Sequence, residues 1–525
     1  MRSAPFPSRL GTAIMAAAFA IAAQTPLQLT VNQSTVIGSL DLTRYSLGQG
    51  GLSSKPMIDT HIADLVQLHS KTNRFFMQEY FNLLPAHNTY HWGSLDSMLD
   101  AIVATGAQPI ADICFKPKVL YPTIDPNIVT PNSWAEWDTL IVRLVQHCRQ
   151  KAYGIKYWEI GNEGDVGEVG GCPYQFTSQN YIPWYQHTAN AILSVDPTAK
   201  VGGPALGSFR QDDPIGGALI SQAANGSVPL HFFTWHGYTN NPSDFTGAIN
   251  DVKGKLAQHA SLANVETIIT EWNFDLGNTN PDPAFQPAFI LEATRNFLAA
   301  GLSSGNYYHI TDYLVNQAEF EKFMTQGGAS AMAGYWNNRA QCLGIYSNQG
   351  VMRPAYYAFL MMSRMKGPQI SVTGTNNDVK AFAVKNADSI DVLVWNYGGG
   401  TSYNVTLGLP STAAGSFKLS RLNAANVRID AVRQGQVSEL QATPLTFSLS
   451  NRGIYWLHTA LATASDRAIQ RPSTNPVSIM KIVDMRGRGV RWKNGDASPA
   501  PGAYAAVFTE GTAPHKTAFI RMREK

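Results

Sequence analysis

Between about Arg44 and Ser363 the chain alternates short apolar runs with stretches in which apolar residues return every three or four positions, at spacings of roughly 30 to 45 residues. The apolar runs predict strands at Tyr45–Gly48, Arg74–Glu79, Pro109–Phe115, Tyr157–Gly161, Lys200–Gly203, Phe232–His236, Thr267–Glu271 and Asn306–Ile310. The stretches between them read as helices: Leu95, Met98, Leu99 and Ile102 fall on one face of Leu95–Thr105, and Trp137, Leu140, Ile141, Leu144 and Val145 on one face of Trp134–Arg149. Eight such pairs predict an α/β fold, a (β/α)8 TIM barrel over residues 41–368. From Gln369 the period changes to two, with Ala381–Val384, Ile390–Trp395, Asn404–Leu409 and Gly453–Leu457 separated by turn residues, so an antiparallel β-sandwich is expected over 369–459. The strand Leu27–Val36, within 24–40, precedes the barrel and is available to complete that sheet. A linker rich in Ala, Ser, Thr and Pro, 460–476, leads to a small β-rich C-terminal module, 477–525.

Composition narrows the reading. The 525 residues are 44% apolar and 15% charged, enough for large packed cores and too little charge for a disordered chain. The net charge of +3 is uneven. Residues 461–525 carry 11 basic and 5 acidic side chains, while 24–460 carry 27 and 32. The mildly acidic body has no Lys/Arg run, which excludes a nucleic-acid groove there. Arg2 and Arg9 precede an uncharged Ala-rich run, Leu10–Ala23, that ends in a small-x-small pattern at Ala20-Ile21-Ala22. Residues 1–23 therefore read as a signal peptide and the protein as exported; the run is too short to span a bilayer, and no later stretch is long enough. Export permits disulfides among Cys114, Cys148, Cys172 and Cys342, but buried free thiols fit equally. No CxxC or CxxH spacing supports a metal site, and neither metal nor organic cofactor is expected.

Two segments carry chemistry. Lys156-Tyr-Trp-Glu-Ile-Gly-Asn-Glu163-Gly ends the fourth predicted strand in Asn162-Glu163, and Thr267-Ile-Ile-Thr-Glu271-Trp-Asn ends the seventh in Glu271. A parallel barrel gathers the carboxyl ends of its strands on one face, so both carboxylates can reach one pocket. A pair of carboxylates across a pocket is what glycosidic bond hydrolysis requires: one protonates the leaving oxygen, the other attacks or activates water. Rival carboxylates exist. Glu159 shares a strand face with Glu163 and suits an orienting role deeper in the barrel, and Glu79 stands at the end of the second strand.

These segments resemble the signatures of clan A retaining glycoside hydrolases. Lys200-Val-Gly-Gly-Pro-Ala205, Trp235-His-Gly-Tyr238, Leu343-Gly-Ile-Tyr346 and Pro354-Ala-Tyr-Tyr-Ala-Phe359 make the likeness greatest to glycoside hydrolase family 39, the family of β-xylosidases and α-iduronidases. The resemblance implies a glycosidase working on an oligo- or polysaccharide, with Glu163 as acid/base, Glu271 as nucleophile and Asn162 on the sugar 2-hydroxyl. It also implies substrate contacts from His236, Tyr238, Trp272, Tyr308 and Arg74. Glu79 and Lys116 are further candidates at strand ends. Departures bear on substrate: Tyr308-His309 stands where the family has Tyr-Trp, the paired Glu residues after that strand are missing, and Phe75–Glu79 lacks a His. His309 is therefore expected to make the sugar pocket more polar than in the β-xylosidases, suiting a hexose or modified sugar. Trp134, Tyr174, Tyr181, Trp184, Tyr335 and Trp336 are candidates to stack on further units. A silent carbohydrate-binding protein and a transglycosylase remain as alternatives. Lys481–Arg488 and Pro501–Tyr504 resemble the C-terminal sorting domains of type IX secretion substrates, which implies secretion machinery as a partner; a basic glycan-binding module is the alternative.

Overall fold

The computed structural model describes residues 24–461 apart from 51, 54, 209–212 and 410–414, and, beyond them, 479–484, 489–490, 503–508 and 516–521. The expected signal peptide, most of the expected linker and the Arg486-Gly487-Arg488 turn lie outside the described residues.

Eight parallel strands close into a barrel: β2 (Tyr45–Gly48), β3 (Thr72–Met77), β4 (Gln108–Ile113), β5 (Tyr157–Ile160), β6 (Lys200–Leu206), β7 (Phe232–Tyr238), β8 (Glu266–Asn273) and β9 (Ser304–Tyr308). They follow β1, Thr25–Asp41. All eight coincide with the apolar runs, because a barrel strand is covered on both faces and so needs little polar alternation. Closure is direct, with Tyr45 opposite Gly305 and Gly48 opposite Tyr308. Helices such as Trp134–Gln150 and Ser178–Val195 cover the outside. Ser133 caps the first by accepting from the backbone N–H of Glu136, and Thr177 forms a capping box with Asn180 on the second. Their buried faces meet where Trp137 packs on Trp184 and its indole N–H donates to Thr188.

The second layer is one large sheet curled on itself. It runs through β10 (Lys366–Thr373), β11 (Val379–Lys385), β12 (Ser389–Asn396), β13 (Tyr403–Gly408), β14 (Gly415–Asn423), β15 (Arg428–Gln436), β16 (Leu445–Leu449) and β17 (Ile454–Leu461). Strand β1 joins it, antiparallel to β10 and parallel to β13, so the chain enters through the sheet before starting the barrel. Val31, Val379, Val392, Leu419 and Phe447 belong to its own apolar core. Residues from 462 onward form a separate unit, whose described strands make a four-stranded sheet. Among the described residues, no helix is long and apolar enough to cross a membrane.

Candidate active site

Glu163 and Glu271 reach the same cavity, of about 290 Å³, at the carboxyl ends of the barrel strands. Local backbone features aim each. Glu163 follows β5 with a φ of 47°, in the left-handed region that only a firm surrounding structure holds for a non-glycine residue. Its N–H donates to Ala205 O at 2.7 Å, and its carbonyl accepts from Val166 and Gly167. Gly170 packs on its carboxylate so closely that a Cβ there would overlap a carboxyl oxygen. On β8 the pairing with β7 slips by one residue, from Trp235 opposite Ile269 to His236 opposite Glu271. A bulge of this kind re-aims the side chain that follows it.

A buried guanidinium organises the floor. Arg74, 1% exposed, donates to Glu271 at 2.5 Å, Glu159 at 2.7 Å, and Asp112 and Asn162 at 2.8 Å each. Burial opposes its charge, but Glu159, Asp112 and Glu271 outweigh that and raise its pKa further. Asp112 is pushed well above the ordinary carboxyl range by burial, against the pull of Arg74. The hydroxyl of Tyr238 donates to the other oxygen of Glu271 at 2.7 Å. Glu163 instead meets His236 Nδ1 at 2.7 Å. Burial pushes the Glu163 carboxyl up to about 7, with Arg74 opposing, and burial lowers His236, so the pair is an acid beside a neutral imidazole. One oxygen of Glu163, one of Glu271 and a His236 nitrogen lie within 4.8 Å of one another. This is the one donor set among the described residues able to approach a metal ion, and it coincides with the carboxylate pair.

Several expected substrate contacts lie elsewhere. Trp272 follows Glu271 and points the opposite way, fully buried against Phe245, Phe297 and Tyr307. His309, joined to Tyr308 by a cis peptide, is also fully buried and pairs with Asp312 at 2.8 Å, which Arg353 holds from the other side. It does not line the cavity, so the polarity expected from it is not there. Lys116 is tied to the carbonyls of Asp125 and Pro173 and lies over the rings of Tyr121 and Tyr174; burial lowers it to about 8. Glu79 is half-buried beside the Lys116 N–H, its carboxyl raised to about 8 by desolvation, and it is outside the cavity wall. Arg74 lies beneath the cavity, holding carboxylates in place of substrate. Of the six loop aromatics only Tyr335 and Trp336 line the cavity. Tyr174, Tyr181 and Trp184 form a buried cluster, and Trp134 stacks on His187. Asn162, Tyr238 and Tyr308 do line it, and His236 stands just behind. The four cysteines are free thiols, with Cys114 and Cys172 3.9 Å apart.

Sequence reasoning missed Asp112 and Gly170, and the apolar rim of Leu52, Val166 and Val169. A lone Asp in the otherwise apolar Pro109–Phe115 was the available signal for the first.

The model of glycosyl hydrolases family 39 matches residues 77–398. The chain belongs to that family. A β-xylosidase of Caldicellulosiruptor saccharolyticus is 24% identical over 335 residues, 59% of this chain, and the chain spans 64% of that relative's length. A β-xylosidase of Geobacillus stearothermophilus is 24% identical over 367 residues, covering 62% of this chain and 67% of that protein. Among solved structures, a glucosidase from Croceicoccus marinus superimposes with a TM-score of 0.65 at 16% identity, covering 84% of this chain and 100% of the other. A monomeric β-xylosidase from Caulobacter crescentus gives 0.64 at 16%, covering 83% and 99%. These likenesses extend the shared fold across the barrel and its attendant sheet in this family 39 protein.

Proposed function

We propose that this protein is a retaining glycoside hydrolase in which Glu271 attacks the anomeric carbon and Glu163 protonates the departing oxygen. The observation that carries the reading is one cavity holding two carboxyl groups with nearest oxygens within 4.8 Å, one of them held protonated to about pH 7. Retaining pairs stand about 5 to 5.5 Å apart, whereas inverting pairs stand about 6.5 to 9.5 Å apart to admit water. In the first step Glu271 forms a bond to the anomeric carbon as the glycosidic bond breaks, and the Glu163 proton passes to the leaving oxygen. In the second, Glu163 takes a proton from water, which attacks the same carbon and releases Glu271. Arg74 and Tyr238 hold the attacking carboxylate; His236 stands behind Glu163. Asn162, anchored through its carbonyl to Arg74, turns its amide N–H toward Gly170 at the cavity wall, in reach of a sugar hydroxyl.

The cavity is at the lower edge of the roughly 300–1,000 Å³ of ligand pockets, which suits one sugar ring at the reacting position, with Tyr308, Tyr335 and Trp336 as aromatic faces. The two similar enzymes named β-xylosidases make a pentose the first sugar to try. The Leu10–Ala23 run and the C-terminal module support export of the protein through a secretion system. A panel of aryl glycosides with the product anomer followed by NMR tests the reading. Net retention is expected, with no turnover by Glu271→Ala and azide-rescued turnover of activated substrates by Glu163→Ala; net inversion refutes it.

A further inference from the structure

A row of depressions leads away from the cavity, each sharing side chains with the next. Leu276, Tyr335 and Trp336 line both the cavity and a narrow neck beside it. Asn278 lines the neck and a depression of about 480 Å³. Asp282 and Arg452 then line both that depression and another of about 490 Å³, where the loop after β8 faces the turns of β14 and β17.

The chemistry of this row is unlike that of the cavity. Amide side chains recur along it, with Asn240, Asn278 and Asn280 in the nearer depression and Asn423 and Asn451 in the farther. The side-chain oxygen of Asn451 is buried without a hydrogen-bond partner. Guanidinium groups mark each stage: Arg339 in the neck, Arg452 at the shared boundary and Arg421 at the far end. Two are held against rings, Arg339 at 4.4 Å from Tyr335 and Arg452 at 4.9 Å from Phe285, which fixes them at little entropic cost. The row is lined by one acid, Asp282, 3.6 Å from Arg452, and Arg421 lies 3.5 Å from Asp430; these long, exposed pairs leave most guanidinium donors open, in a body that is acidic as a whole.

We propose that this row is a groove for the chain of a carboxylate-bearing polysaccharide, leading its end to the cavity. That the chain's end is cut there rests on the glycosidase reading; that the groove binds such a chain does not. A cavity of one-ring size obliges the rest of a polymer to leave along the surface, and the row begins at its aromatic rim; the neck, of about 10 Å³, is too small for a sugar ring, so the chain would cross over it. Amides exchange hydrogen bonds with sugar hydroxyls, and each guanidinium presents a fork that matches a carboxylate.

The test is affinity electrophoresis of the full chain carrying Glu271→Gln, in gels containing polygalacturonate, glucuronoxylan or neutral arabinoxylan. Retardation by the two acidic polymers is expected and little by the neutral one. Arg421→Gln with Arg452→Gln should weaken it about tenfold or more, as loss of two charge-assisted contacts implies. In the otherwise native enzyme the same pair should leave turnover of small aryl glycosides within about twofold, since neither side chain lines the cavity. Lys151→Gln, a charge change just past the helix Trp134–Gln150, should leave retardation intact, and melting curves should show each variant folded. Arg421→Gln alone, with its partial loss, serves if the double variant is unstable. Equal retardation by neutral and acidic polymers, or retardation indifferent to the Arg substitutions, overturns the proposal. Retardation as described in a protein that cleaves no glycoside would sink the glycosidase reading and leave the groove standing.

Discussion

Replacing Glu163 with Gln should stabilise the protein in a pH-dependent way even as it removes the proposed acid. The Glu163 carboxyl is held at about 7 by burial, against an ordinary 4.5. Below about pH 4.5 it is protonated in folded and unfolded chains alike and contributes nothing to the pH dependence. Between about 4.5 and 7 the unfolded chain releases its proton while the folded one keeps it, so stability falls by about 1.4 kcal/mol per pH unit and levels off above the folded value. The accumulated loss is about 3 kcal/mol. Gln has no proton to release, so the gap between variant and parent should widen by that amount. With roughly 2.1 cal/mol/K of unfolding entropy per residue, a body of this size converts about 3 kcal/mol into about 3 °C. Thermal melting of both proteins from pH 4.5 to 8.5 is the assay, with the difference in Tm as readout; the shared titration of Glu79 cancels in it. A fixed offset from altered bonding to His236 leaves the slope untouched. A gap that stays constant or narrows as pH rises would refute the idea that burial holds the Glu163 proton.

Other outcomes follow from the same geometry. For substrates with poor leaving groups kcat/KM should fall above about pH 7 as free-enzyme Glu163 loses its proton, and Glu163→Ala on activated substrates should lose that limb. Tyr238→Phe removes a donor 2.7 Å from the Glu271 carboxylate, a charge-assisted bond of about 1.5–3 kcal/mol. Because Glu271 departs as a carboxylate in the second step, kcat should drop roughly ten- to hundredfold, with a burst of aryl product in stopped flow; an unchanged kcat contradicts this. Gly170→Ala would press a methyl against the Glu163 carboxyl, so turnover of unactivated substrates should suffer far more than that of activated ones.

The barrel was legible because its strands are apolar on both faces and its two chemical residues interrupt that pattern at strand ends. Glu163 and Glu271 stand out against Tyr157–Ile160 and Thr267–Thr270 without any knowledge of neighbours. What a side chain faces was less legible. Trp272 and His309 sit beside cavity residues in sequence, yet strand alternation sends Trp272 into the packing behind the wall, and His309, just past β9, is held there by Asp312. Lys116 and Glu79 were read as substrate candidates at strand ends, but Lys116 is tied down by its own following loop, through Asp125 and Tyr121, as well as by distant Pro173 and Tyr174. The loop aromatics divide for the same reason. Tyr174, Tyr181 and Trp184 close on one another locally, whereas Tyr335 and Trp336 come from the excursion after β9 and meet Glu271 only in space.

Arg74 shows how the buried charge cluster and the reaction are joined. A guanidinium among Glu159, Asp112 and Glu271 would face an excess of negative charge were every carboxyl ionised, and burial makes such an excess costly. Burial pushes Asp112 toward its neutral form, which works against that excess, while Arg74 donates to all three carboxyl groups. The same guanidinium holds Asn162, so the proposed nucleophile and a wall residue share one rigid support rather than two loops. Glu163 lies outside this set of contacts, against His236, and that separation lets burial dominate its protonation. The two carboxyl groups thus share a cavity with unlike partners, Arg74 and Tyr238 donating to Glu271 while burial raises Glu163, an asymmetry that suits the proposed nucleophile and acid.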